Sequence, residues 1–233
     1  MTTSKNSSRK SRAVAAAALA LASAAAIVPA TVSAGHSGSS TSTYRITIEN
    51  LTPGGSQPLS PVGTVVHHRR ADVWSPGQPA TAAVAAVAED AALPIFVDTY
   101  SQTPGVRSAT VGGAAPIAPG ASATFEVEAR PGDRLSLVSM LVNTNDAFTG
   151  LDSVRLGRRH QEFHVRAYDA GTEANNEDPG FIPGPAGGSP GVRDPEGDVI
   201  RHHEGLVGQA GGIDPATYGW NDPVAHIVIE RID

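Results

Sequence analysis

Between residues 44 and 50 the side chains alternate: Tyr44, Ile46 and Ile48 fall on one face, Arg45, Thr47 and Glu49 on the other. A period of two marks a strand with one face buried, and Thr52-Pro53-Gly54-Gly55 ends it with turn chemistry. Similar short patterns occupy 64–68, 95–100, 123–129, 134–142, 162–168 and 225–232. Pro119-Gly120 and Pro131-Gly132 separate several of them. Only 79–92 reads as a helix, rich in alanine with Val84, Val87 and Ala91 at helical spacing and closed by Leu93-Pro94. From 178 to 212 glycine and proline are dense enough to predict a long loop. Many short strands with little helix predict an all-β fold: an antiparallel β-sandwich in one domain over 44–233, with one short helix and a long Gly/Pro-rich loop.

The N-terminus has a different grammar. Lys5, Arg9, Lys10 and Arg12 precede an alanine-dominated apolar run over 13–28, Pro29 breaks it, and Val32-Ser33-Ala34 offers small residues to a signal peptidase. This pattern predicts a signal peptide over 1–34, a Gly/Ser/Thr-rich linker over 35–43, and a secreted or envelope-associated domain. The apolar run is shorter than the roughly 20 residues that span a bilayer, so no transmembrane segment is expected.

Export changes the electrostatics. Of 17 basic residues four precede residue 35, leaving 13, all arginine, against 23 acidic residues and a formal charge of −10. A net acidic chain without lysine is a poor partner for nucleic acid. There is no cysteine, which excludes thiolate metal sites and cysteine nucleophiles. A chain of this length buries enough surface to fold without disulfides.

Acidic and amide side chains concentrate in three loop-like stretches: 143–146 (NTND), 150–153 (GLDS) and 169–173 (DAGTE). Strands leading into adjacent acidic loops can gather carboxylates at one end of a sandwich. Oxygen donors on irregular loops suit calcium better than the strict octahedron of magnesium. The alternative is solvated carboxylates with turn-forming roles. The EF-hand spacing is absent.

These stretches, with the opening YRITIENLT at 44–52, AED at 88–90 and LSLVSMLV at 135–142, resemble the spondin domain of animal matrix proteins and of stand-alone bacterial proteins. The resemblance covers most of 44–233. It implies a sandwich similar to calcium- and lipid-binding domains, with one calcium ion at a loop end and an extracellular binding or adhesion role toward an unidentified cell-surface ligand. Matched residue by residue, it assigns the metal to Asp146, Asp152 and Asp169, with Glu173 at a usually acidic position. Ala147 stands where the animal domains usually carry tryptophan, and their cysteines are missing.

An enzyme needs other groups. Gly187-Gly188-Ser189-Pro190-Gly191 fits G-x-S-x-G on paper, but it sits in Gly/Pro-rich coil rather than a strand-turn-helix elbow. His160, Glu162 and His164 would share one strand face and could hold zinc as a hydrolase does; the alternative is a polar, solvent-facing side. The expectation is a non-enzymatic binding module, with a metal-dependent hydrolase or a purely structural envelope protein as alternatives.

Overall fold

The computed structural model describes residues 41–233; the expected signal peptide and most of the linker lie outside the described residues. The chain opens with β1 (Ser42–Asn50) and β2 (Val62–His67), then two short helices, α1 (Ala82–Asp90) and α2 (Leu93–Ser101). β3 (Val106–Gly112), β4 (Ser122–Ala129), β5 (Arg134–Met140), β6 (Ala147–Arg155) and β7 (Gln161–Val165) follow. The two-residue strands β8 (Tyr168–Asp169) and β9 (Arg201–His202), a single turn α3 (Pro215–Tyr218) and β10 (Ala225–Arg231) complete the order. Two antiparallel sheets form the sandwich, one ordered β4-β1-β10-β7 and the other β3-β2-β5-β6-β8-β9.

β1 lies between β4 and β10, with Ile46 opposite both Phe125 and Ile229. Ile46, Ile48, Ile227 and Ile229 are fully buried against Val62, Val66, Leu135 and Leu137 of the other sheet. That second sheet is covered on both faces. Its outer side carries α1 and α2, where Val84, Val87 and Phe96 pack on Val65 and Val138. Burial on two faces is why all six residues of β2 are buried and why β2 and β5 lack a polar rank. Their few polar groups are hydrogen-bonded, as in the 2.9 Å contact of His67 Nε2 with Ser136 Oγ.

Two expectations are corrected. Residues 95–100 belong to helix α2, not a strand. Pro94 sits in its first turn, where the missing N–H costs nothing. Phe96 and Tyr100, four apart, share its buried face, and the Tyr100 hydroxyl donates to Val73 O at 2.9 Å. The helix expected over 79–92 is shorter, capped by Thr81 Oγ1 and ended by Ala91 in a left-handed conformation (φ 51°). Second, 150–153 is not a loop but part of β6. Gly150 permits that strand to lie against β5, since a Cβ there would fall 1.8 Å from Leu137 O.

Candidate functional site

Asp146 directly precedes β6, whose first residue Ala147 pairs with Asp169 of β8. That register sets Asp146 against the turn over 170–173. Its Oδ2 accepts hydrogen bonds from Thr172 N (2.8 Å), Thr172 Oγ1 (3.1 Å) and Glu173 N (3.0 Å). Its Oδ1 is buried and has no hydrogen-bond partner. Burial, reinforced by the neighbouring Asp169 carboxylate, pushes the Asp146 pKa up to about 6, while the bonds from 172 and 173 oppose the rise. The turn depends on Gly171 (φ 69°), where a Cβ would come within 2.8 Å of the backbone at Asp198 and Val199.

Asp169 is engaged on both oxygens. Oδ1 accepts from Gly171 N at 2.6 Å; Oδ2 accepts from Asn175 Nδ2 at 2.5 Å and lies 2.9 Å from the Arg201 guanidinium. Glu173 is buried with Arg193 Nε 2.7 Å from its Oε1, yet neither of its oxygens gains a hydrogen bond. Burial holds this carboxyl above the ordinary range, and Arg193 pulls it back. Arg193 also contacts Glu89 at 2.8 Å and Asp90 at the end of α1, so it fastens the long loop to the helix.

Three of the four residues expected to hold a metal are therefore neighbours. Asp152 is not. It lies on β6 five residues beyond Ala147, roughly 16 Å away at the rise of a strand, and accepts from Ser75 Oγ at 3.0 Å. Among the described residues no three acidic or histidine side chains are placed to hold a metal by themselves. A cation at Asp146 Oδ1 would therefore need neutral oxygens to complete its shell.

Beside this cluster lies a cavity of about 240 Å³, lined by Asn145, Asp169, Asn175, Glu177, Arg201 and His203 among others. His203 Nδ1 accepts from Gly205 N at 3.0 Å, so its proton is on Nε2, which donates to Asn175 Oδ1 at 3.1 Å. Asn175 thus links His203 to Asp169. Burial, with the nearby Arg201 and His202, lowers the His203 pKa to about 4. The Glu177 carboxylate accepts the backbone N–H groups of Val207, Gly208 and Gln209 and so fixes the outer wall. Sequence reading missed Arg193, Asn175, Glu177 and His203. The available signals were the adjacent His202-His203 and the charged residues Arg193, Asp194, Glu196, Asp198 and Arg201 inside a Gly/Pro-rich stretch.

The histidine face is real as a surface. His160 Nε2 lies 2.6 Å from Glu162 Oε1, which raises the His160 pKa and lowers that of Glu162. His164 turns instead to His226, its cross-strand partner on β10, with the rings stacked at 4.6 Å. The motif at 187–191 lies outside any strand or helix. No helix among the described residues is long and apolar enough to cross a membrane. No family model matches the chain, and no curated protein matches it.

Proposed function

We propose that this chain is a secreted, calcium-stabilised β-sandwich of the spondin type, working as a binding or adhesion module outside the cell. The observation that carries the reading is Asp146: a buried carboxylate with one oxygen fully bonded, the other unpartnered, and a second carboxylate beside it. Leaving such a group charged and unmatched is costly, and a divalent cation removes the cost. Asp146 and Asp169 would hold the ion, with Glu173 contributing once Arg193 shares it, and neutral loop oxygens would complete the shell. Calcium would supply charge neutralisation and loop order, not chemistry. The loops it braces wall the cavity at this end, where a ligand would bind on a rigid scaffold.

Calcium titration of the melting temperature tests this. Extracellular calcium modules bind with Kd of about 10⁻⁴–10⁻³ M, so ~2 mM calcium would stabilise by roughly 0.6–1.8 kcal/mol. That corresponds to about 1–7 °C. Asp146→Asn should abolish the shift and Asp152→Asn should keep it. The same melting curve in calcium and in sodium chloride of equal ionic strength would defeat the proposal.

A further inference from the structure

The end of the sandwich opposite the acidic loops is rich in arginine. Here β2, β4, β6 and β10 finish while β1, β3, β5 and β7 begin. Arg69, Arg70, Arg130, Arg155, Arg158 and Arg159 are all exposed on the connecting loops or strand ends, and among the described residues none makes an ion pair. Arg193 and Arg201, at the other end, each contact several carboxylates. Most of the acids at the arginine end are already occupied. Asp133 is buried on Arg107 at 2.5 Å, Asp233 pairs with Arg231 at 2.8 Å, and Glu230 lies 3.5 Å from His160. Asp72, in the loop that carries Arg69 and Arg70, turns to Ser75, and Glu128 stands a step back along β4.

The register makes the concentration costly. Arg134 and Arg155 sit directly opposite each other on β5 and β6, a like-charge pairing that destabilises a sheet unless an anion offsets it. Arg134 spends one N–H on Ser153 O at 2.5 Å, and Arg155 has no protein partner among the described residues. The surface is also shaped. Three depressions, of about 420, 380 and 530 Å³, share walls in series. Arg158 and Arg231 border the first and second, while Pro131, Gly132 and Arg155 border the second and third. The result is a trough running across the end of the sandwich from one sheet to the other.

We infer that this trough binds an anionic polysaccharide laid across the sandwich end. Guanidinium forks grip sulfate, phosphate or carboxylate groups bidentately, and a row of them matches charges spaced along a chain. A membrane surface fits less well, because Ile232 is the one large exposed apolar side chain near this end among the described residues. Duplex nucleic acid fits less well, because a chain of net charge −6 repels so extended a polyanion outside the trough. The site is independent of the calcium cluster, so a chelator separates the two.

The test is binding of full-length protein to immobilised dextran sulfate and to polygalacturonate, which distinguish sulfate from carboxylate as the charge recognised. At least one should bind, with affinity falling on the order of a thousandfold between 50 and 200 mM sodium chloride if six contacts form. Arg155→Gln/Arg158→Gln/Arg159→Gln should weaken binding at least about tenfold, and calcium chelation should leave it unchanged. Arg158→Gln/Arg159→Gln, confined to a loop, guards against a folding defect in the triple variant, and Arg166→Gln, exposed at the opposite end just beyond β7, should bind normally. Undiminished binding by both multiple variants would overturn the inference. So would arginine-dependent binding to anionic vesicles or duplex DNA with neither polysaccharide retained.

Discussion

Arg193 Nε lies 2.7 Å from Glu173 Oε1, a guanidinium from the long loop beside a carboxylate that is almost wholly buried. Removing one member of a buried pair leaves the other uncompensated, at about 3–5 kcal/mol. Arg193→Gln should therefore destabilise by that order in urea denaturation. Adding Glu173→Gln should recover part of the loss, since the buried carboxyl left without its guanidinium is then gone. If the double variant is no more stable than the single, the pair is not coupled as its geometry implies.

His203 predicts a pH effect with a definite sign. Its pKa is about 4 in the folded chain against 6.5 for the free side chain, so below pH 6.5 the unfolded state binds more protons. Stability falls as pH drops from 6.5 towards 4, then levels off. The shift of about 2.5 units corresponds to roughly 3 kcal/mol. Arg201 and His202 disfavour the imidazolium, and Glu177 and Asp222 favour it less strongly. Asp146, raised in pKa, contributes the opposite slope near pH 4–6. The readout is therefore the difference between wild type and His203→Gln. Parallel stability curves over pH 4–7 would rule this role out.

The histidine face should be a polar surface rather than a hydrolase centre. His160→Gln/His164→Gln should leave melting temperature and metal content unchanged, as measured by denaturation and elemental analysis. One equivalent of zinc in wild type, lost in the double variant, would restore the hydrolase reading and direct attention to His226 as the additional ligand.

Gly150→Ala should destabilise by about 3 kcal/mol, because the new methyl meets the Leu137 carbonyl of the adjacent strand and backbone must move. A thermal melt decides it. Unchanged stability would mean that β5 and β6 are not held as close as they lie.

Much of the architecture was legible in single residues. Tyr44, Ile46 and Ile48 marked β1, and the 225–232 pattern marked β10, because each has one wet face. The stretches that carry Asp146, Asp169 and Glu173 stood out by their acidic and amide side chains beside strand ends, and the family resemblance singled out these residues within them. α2 was missed because Ile95, Phe96 and Val97 read equally well as a strand; its helical evidence is Pro94 in the first turn and an aromatic pair four apart. Asp152 was grouped with them by the resemblance and by reading 150–153 as a loop, whereas the chain from Ala147 to Arg155 runs extended as β6. Arg193 and His203 were hidden for another reason. Their partners lie 20 to 104 positions away (Glu173, Asn175, Glu89), and only the folded loop brings them together.

The pairing of β1 with β10 also constrains how the molecule is made. Asn50 meets Ala225 and Tyr44 meets Arg231, so the second strand flanking β1 is formed by residues 225–231. Local hairpins such as β5–β6 can zip early, but the four-stranded sheet closes only when those residues reach a segment synthesised more than 170 positions before. Until then Ile46 and Ile48 have β4 on one side and an open edge on the other. Truncating β10 should therefore release an aggregation-prone intermediate rather than a smaller stable domain.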